Sequence, residues 1–164
     1  EKMERILLRK KAVPFDFSST SKAELKNIID AMRKKMREAN GIGLAANQIG
    51  LPFSMFVAEV PDEKAGGKKF YAIFNPKLEK NGKQTSQAEE GCLSVPGKYG
   101  EVERPSRVTL TGQDKNGRQV KIKAWGLLAR VFQHETDHLN GIVFIDKVKT
   151  LYEYVSDARE NHDE

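Results

Sequence analysis

The sequence predicts an α+β fold in which a central helix, carrying an H-E-x-x-H segment, packs against antiparallel or mixed β-sheets, with a further helix near each end of the chain. Apolar residues recur at helical spacing in 21–40 and again from Gly126, whereas 54–123 holds short β-rich segments separated by turn residues. No repeat, linker or low-complexity segment divides the chain, so we expect a single domain over residues 1–164.

The first helix is predicted between Ser21 and Asn40. Ser21 and Glu24 have the spacing of a capping box, and Asn40-Gly41 is a typical helix stop. Apolar residues recur at intervals of three and four, as a single buried face requires. They are Leu25, Ile28, Ile29, Met32 and Met36.

The middle of the chain predicts β-structure. Short strands are expected at 54–60, 69–74, 84–88 and 102–104. The segments 107–111 and 119–123 alternate polar and apolar residues on either side of Lys115-Asn116-Gly117. This pattern is typical of a β-hairpin with one exposed face.

The last third predicts two helices. One covers Gly126–Leu139 and is stopped by Asn140-Gly141, and the other is an amphipathic helix at 152–159.

Composition indicates one globular domain, because 38% hydrophobic and 31% charged content suffices for a single core with a charged surface. No run of 18 apolar residues appears, and 1–11 lacks the apolar stretch of a secretory signal. We therefore expect a cytoplasmic protein without membrane contact. Cys92 is the single cysteine, so it has no internal disulfide partner and is a free thiol or a metal ligand.

The net charge of +5 is unevenly distributed. Residues 1–40 hold eleven Lys or Arg against six Asp or Glu, whereas 146–164 hold three against six. No nucleic-acid-binding motif accompanies the basic part, so we expect a solvated surface and no specific nucleic-acid binding.

The segment from His134 to His138 reads H-E-T-D-H on a predicted helix. A spacing of four residues places both imidazoles on one helix face, where a single metal ion can bind both. Glu135 is offset by about a quarter turn, close enough to reach a metal-activated water without being a ligand. Because Leu127 and Val131 precede the histidines on the same stripe, the histidines are expected to point inwards.

A catalytic metal centre usually has three protein ligands and one open position, so a third ligand is needed. Glu153, Asp157 and Glu160 lie at the downstream spacing that zinc peptidases use. Cys92 is the alternative, because Gly91 permits close approach of the backbone and a thiolate is a strong ligand for Fe(II) or Zn(II).

Three segments resemble, in order and spacing, the signature segments of peptide deformylases. They are GIGLAANQ at 41–48, EGCLS at 90–94 and QHETDH at 133–138. The lack of long insertions between them resembles the compact bacterial or organellar form. The resemblance implies three metal ligands, a general acid/base and two oxyanion donors. These are, respectively, Cys92, His134 and His138; Glu135; and Gln48 with the backbone N–H of Leu93.

The resemblance also implies a methionine pocket and a peptide backbone that pairs as an added strand with the chain on both sides of the site. The substrate-binding residues are then Ile42, Gly43, Gly91, Leu127 and Val131, with the ring of His134.

The implied function is hydrolysis of the N-formyl group from the formylmethionine of new polypeptides, with release of formate. The implied cofactor is one divalent metal, Fe(II) natively, with Zn, Ni or Co accepted. The partners would be N-formylmethionyl nascent peptides close to the ribosome, in the bacterial cytoplasm or an organellar matrix or stroma. Two alternatives stay open: a general zinc peptidase with Glu153 or Asp157 as third ligand, and a noncatalytic ribosome-binding module with a structural metal.

Two positions depart from the family pattern. Arg130 stands where an aliphatic pocket residue is expected, and we expect its stem to cover apolar surface while its guanidinium lies outside. Tyr99 stands where a basic residue is typical. Glu90, Arg104 and Asp137 are expected to form an ion-pair set that orients the ligand segments.

Overall fold

The protein is described by a computed structural model over residues 6–62 and 64–154. The first of the predicted helices, α1, comprises Lys22–Glu38. Ser21 caps it as predicted, because its hydroxyl accepts from the Glu24 N–H at 3.2 Å while the Glu24 carboxylate accepts from the Ser21 N–H at 2.8 Å. The predicted apolar face is buried at Leu25, Ile29, Met32 and Met36.

A five-stranded antiparallel sheet has the strand order β1-β2-β3-β6-β7. Its strands are β1 (Gly43–Ala45), β2 (Met55–Pro61), β3 (Lys68–Lys80), β6 (Arg107–Gln113) and β7 (Gln119–Trp125). The predicted hairpin joins β6 and β7, and Gly117 adopts the positive φ of 74° that its turn requires. β1 is an edge strand, so its outer side has no partner strand among the described residues.

A second antiparallel sheet has the order β4-β5-β8. Its strands are β4 (Thr85–Cys92), β5 (Val95–Pro105) and β8 (Tyr152–Glu153). β4 is likewise an edge strand.

The second helix, α2, covers Gly126–Leu139, the range that the sequence predicts. It contacts strands of both sheets. Phe132 is completely buried and its ring lies 5.7 Å from that of Phe56 on β2. Such contacts anchor the helix in the larger core. Neighbouring residues of α2 then face the space between the two sheets.

The α+β class, α1, α2 and the hairpin are confirmed. The predicted C-terminal helix at 152–159 is wrong at its start, because Tyr152 pairs with Tyr99 as β8; its part from 155 onwards lies outside the described residues. A strand partner 53 positions away overrides the local helical pattern. All named strand pairs are antiparallel, so the mixed option for the sheets is not needed.

Within the described residues, no helix combines the length and the apolar character needed to cross a bilayer. A single domain over 1–164 stays a prediction.

Candidate metal centre

Three donor atoms converge between the two sheets. α2 brings His134 and His138 together, with their Nε2 atoms 3.1 Å apart. The end of β4 adds Cys92, whose Sγ lies 3.2 Å from His138 Nε2. All three donor atoms lie within 4.8 Å of one another. The four-residue spacing on one helix face and the end of a neighbouring strand therefore assemble a three-ligand set.

The competing third ligands are not at this position where the structure describes them. Glu153 lies on β8, is exposed, and is 3.7 Å from Lys98 Nζ. Asp157 and Glu160 lie outside the described residues. Between the alternatives that the sequence left open, the described geometry favours Cys92.

The donor set fits a divalent metal ion. One sulfur and two imidazole nitrogens are ligand types that Fe(II) and Zn(II) accept, and three protein ligands leave one position for substrate or water. Burial lowers the pKa of His138 to about 3, which keeps the imidazole neutral and its lone pair available. Burial also acts to lower the pKa of His134, but hydrogen bonds with Cys92 and Glu90 outweigh it and raise that pKa to about 10. The ring therefore has to release this proton when a metal ion binds, as a ligand histidine must be neutral.

Glu135 is buried beside this set, with 4% of its surface exposed. Its Oε2 has no hydrogen-bond partner within the described part of the chain. Burial raises the pKa of Glu135 to about 7, although the neighbouring His134 acts in the opposite direction. A carboxyl group with such a pKa can both accept and donate a proton near neutral pH.

Gln48 lies on a 3₁₀ turn, Ala46–Ile49, that directly follows β1. Its Oε1 accepts from the Ala45 N–H at 2.8 Å, which fixes the orientation of the amide. Its Nε2 donates to Ser94 Oγ at 3.0 Å and approaches Cys92 Sγ at 3.5 Å. The amide donor therefore lies beside the thiol of Cys92. Ser94, which the sequence reasoning did not single out, stands two residues after Cys92 and holds this donor.

Glu90 links the ligand segments, as expected from the sequence. It accepts two hydrogen bonds from Arg104, at 2.6 and 2.8 Å, and contacts His134 Nδ1 at 2.9 Å. Arg104 also donates to Asp137 at 2.8 Å. Burial alone would raise the pKa of Glu90, but the hydrogen bonds from Arg104 and His134 outweigh it and hold the pKa well below its usual range. The charged carboxylate thereby fixes the ring of His134.

The expectation for Arg130 is wrong. Its guanidinium is not outside but donates to Glu90 at 2.7 Å, to the Val102 carbonyl at 3.0 Å and to the Ser86 carbonyl at 2.9 Å. The buried carboxylate and two carbonyl groups of the β4–β5 pair give the charge better partners than water at this position. Arg130 therefore ties α2 to the three-stranded sheet.

A cavity of about 650 Å³ lies over the donor set. It opens between β1 and β4, the two edge strands, and Leu127 on α2 is half exposed at its side. The cavity brings together the residues that the sequence assigned to substrate, oxyanion and proton transfer. Those that line it are Ile42, Gly43, Gln48, Gly91, Cys92, Leu93, Leu127, Val131, His134 and Glu135.

Glu89 and Tyr99 both line the cavity. The sequence singled out Tyr99 as a departure from the family pattern but assigned no role to Glu89. Glu89 precedes the EGCLS segment directly, and its parity on β4, opposite to that of Glu90, would have placed its side chain on the other face of the strand.

Comparisons with known proteins agree with this geometry. The family model described as "Polypeptide deformylase" matches residues 2–153. A peptide deformylase of Halothermothrix orenii is 45% identical over 148 residues, which are 90% of this chain and 90% of the relative. A peptide deformylase of Rhodopirellula baltica is 46% identical over 126 residues, which are 77% of this chain and 62% of that longer relative.

A solved peptide deformylase structure is also similar to this chain. The Met-Ala-Ser-bound class I type b peptide deformylase of Acinetobacter baumannii superposes with a TM-score of 0.79 at 32% identity, over 87% of this chain and 92% of that chain. The family match covers the strands, the helix α2 and the Cys92, His134 and His138 cluster. The chain belongs to the polypeptide deformylase family.

Proposed function

We propose that this chain hydrolyses the N-formyl group of N-terminal formylmethionine in newly made polypeptides and releases formate. The observation that carries the proposal is the convergence of Cys92, His134 and His138 beside the buried Glu135, at the base of a cleft between two open strand edges. This combination supplies a metal site, a proton carrier and a place for an extended peptide.

The proposed metal ligands are Cys92, His134 and His138, and the proposed native metal is Fe(II), with Zn, Ni or Co as substitutes. A divalent ion held there would lower the pKa of a water molecule so that it can attack a carbonyl carbon near neutral pH. Support for this assignment is the sulfur and nitrogen donor set, which these ions share.

Glu135 is the proposed general acid/base. It accepts the proton that the attacking water releases and then donates it to the nitrogen of the departing amine, which must leave protonated. Its unpartnered Oε2 and its raised pKa of about 7 support this role, because that oxygen is free of other hydrogen bonds in the described chain.

Gln48 and the backbone N–H of Leu93 are the proposed donors to the oxyanion that develops on the formyl oxygen. The amide of Gln48 is preoriented by its bond from Ala45. Its long contact to Cys92 Sγ, at 3.5 Å, is the interaction that an oxyanion would replace. One such donor typically stabilises a transition state by about 3 to 4 kcal/mol.

The proposed substrate position is between β1 and β4, where the peptide pairs with Ile42 and Gly43 on one side and Gly91 on the other. The methionine side chain would then lie against Leu127 and Val131, which line the cavity. Backbone pairing of this kind supports the processing of many different sequences after methionine. The Acinetobacter deformylase was solved with Met-Ala-Ser, the peptide that loss of formate from formyl-Met-Ala-Ser leaves.

The substrate also determines where the protein would act. Formylmethionyl chains arise at ribosomes, so we place the activity near the ribosome in the bacterial cytoplasm or in an organelle. No contact with the ribosome is needed for the chemistry.

The test is release of formate from formyl-Met-Ala-Ser by protein prepared without oxygen. Glu135→Ala is the control, because it keeps all three proposed ligands and should retain metal while turnover falls about 10²- to 10⁴-fold. Metal-loaded parent protein that releases no formate, or that instead cleaves internal peptide bonds, would contradict the proposal and favour a peptidase.

A further inference from the structure

The entrance of the cavity carries a carboxylate with no cationic partner. Glu89 lines the cavity and is exposed. Its Oε2 accepts hydrogen bonds from the hydroxyl of Tyr152 at 2.5 Å and from that of Tyr154 at 2.6 Å. Among residues 6–62 and 64–154, no Lys or Arg forms an ion pair with it. Two cationic residues line the same cavity, but Lys98 is paired with Glu153 and Arg130 with Glu90.

Three tyrosine rings form a connected cluster at this carboxylate. The Tyr99 and Tyr154 rings are 5.1 Å apart, and the Tyr152 and Tyr154 rings 5.9 Å apart, all in edge-to-face arrangements. Pairing of β8 with β5 sets Tyr152 opposite Tyr99. The two hydroxyl bonds lower the pKa of Glu89 and raise that of Tyr152 to about 12, so the group stays charged and the hydroxyls stay protonated. A fixed carboxylate beside aromatic rings is a combination that binds cations.

The alternation of side chains along β4 determines which substrate side chains would lie near the Glu89 carboxylate. Glu90 points inwards and contacts His134, and its neighbour Glu89 therefore lies on the opposite face of the strand. A peptide added to the open edge of β4 alternates in the same way. If its methionine faces His134, the side chains of its second and fourth residues lie on the face of Glu89, and the third does not.

We propose that Glu89, held by Tyr152 and Tyr154, is a specificity-determining residue that favours formylmethionyl peptides with Lys or Arg at the second or fourth position and disfavours Asp or Glu there. The inference rests on the proposed deformylase function and concerns its substrate class. Position three serves as an internal control, because its side chain lies on the other face.

The expected effect is modest, because the carboxylate is exposed and solvent screens it. A single exposed charge pair with a nearby ring corresponds to about a threefold to tenfold change in kcat/KM between a Lys and a Glu peptide. The difference should shrink as salt is added, since exposed charges are screened.

The experiment compares kcat/KM for formyl-Met-Ala-Ala-Ala and for versions with Lys or Glu at position two, three or four. The holoenzyme should prefer Lys over Glu at positions two and four, with a ratio near one at position three. In Glu89→Gln the preference should disappear. Glu103→Gln is the matched control: Glu103 lies on the neighbouring strand, its carboxylate is held by the Thr85 hydroxyl at 2.5 Å, and it does not line the cavity. It should keep the preference.

Tyr152→Phe combined with Tyr154→Phe tests the positioning of Glu89. This variant keeps the charge but removes both hydroxyl bonds, so the Lys preference should fall without vanishing. Equal rates for Lys and Glu peptides in the parent protein, or an unchanged preference in Glu89→Gln, would overturn the inference.

A binding measurement separates this inference from the function on which it rests. Affinities of unformylated Met-Lys-Ala-Ala and Met-Glu-Ala-Ala need no turnover. No hydrolysis of any formyl peptide, together with tighter binding of the Lys peptide, would contradict the deformylase function but not the role of Glu89 in selecting cationic side chains. Rapid hydrolysis with equal binding of both peptides would contradict only that role of Glu89.

Discussion

Gly43 lies directly against the carboxylate of Glu135. A Cβ at this position would overlap Glu135 Oε1 and lie 2.7 Å from Cδ. Since Gly43 pairs with Ala58 in ordinary extended conformation, the close approach to Glu135, and not the backbone, is what requires glycine here.

Gly43→Ala should therefore displace the Glu135 carboxylate and lower kcat at least about 100-fold, because proton transfer depends on its position. Circular dichroism and bound metal should be unchanged. Gly41→Ala is the control: its Cβ would meet the flexible end of Leu93 at 3.0 Å, so a decrease below about tenfold is expected. Equal losses in the two variants would show that the contact with Glu135 is not the cause.

Cys92→Ala should lose metal and activity together. The remaining His134 and His138 leave too few protein ligands for a stable site. Metal content after gel filtration, measured by elemental analysis, tests this. Glu153→Ala should retain the metal, since Glu153 is exposed and paired with Lys98. Loss of metal from Glu153→Ala and retention in Cys92→Ala would restore the zinc-peptidase interpretation.

Glu90→Gln should weaken both the fold and the metal site. The substitution leaves Arg104 and Arg130 without their shared carboxylate, and breaking a buried pair costs on the order of 3 kcal/mol. Because Glu90 also orients His134, metal affinity should fall roughly 10- to 100-fold.

Denaturant unfolding and chelator competition measure the two effects of Glu90→Gln. Asp30→Asn is the comparison, since Asp30 forms an exposed pair with Lys26 on α1 and should change stability by less than about 1 kcal/mol. A fall in stability no larger than that of Asp30→Asn would refute the structural role of Glu90.

Glu59 on β2 predicts a pH dependence of the protein's stability. It is buried and accepts hydrogen bonds from Arg33 at 2.6 Å and from Arg37 at 2.7 and 2.9 Å. Bonds from Arg37 and then Arg33 lower its pKa from 4.5 to about 2. A lowered folded-state pKa stabilises the protein fully above the unfolded value, and this contribution is lost as the pH falls from 4.5 towards 2.

Glu59→Gln should therefore reduce the free energy of unfolding by about 2 kcal/mol at pH 7. The difference from the parent protein should stay constant down to about pH 5 and then shrink as the pH falls further. Urea unfolding of both proteins at pH 7, 5, 4 and 3 gives this difference directly. A difference that grows on acidification would have the wrong sign for an ionised, hydrogen-bonded carboxylate.

Features with short-range causes were predictable from the sequence. α1 begins at the Ser21 cap, and α2 has the predicted bounds, because capping and helical periodicity involve residues only three or four positions apart. The same spacing places His134 and His138 on one face. The β6–β7 hairpin follows from its turn residues and alternation for the same reason.

Features that depend on distant partners were not predictable in this way. Tyr152 is in a strand and not a helix because Tyr99 lies beside it. Arg130 points inwards because Glu90 and two carbonyl groups accept hydrogen bonds from its guanidinium there.

The sequence by itself determined the helices, the hairpin, the two histidines and, through three ordered segments, the family resemblance. Only the tertiary structure decided that Cys92 and not Glu153 joins the histidines, that β1 and β4 both leave an open edge beside the cavity, and that Glu89 lies at its entrance. The physical reason is that local patterns specify which face of an element a residue occupies, whereas packing between elements determines what that face meets.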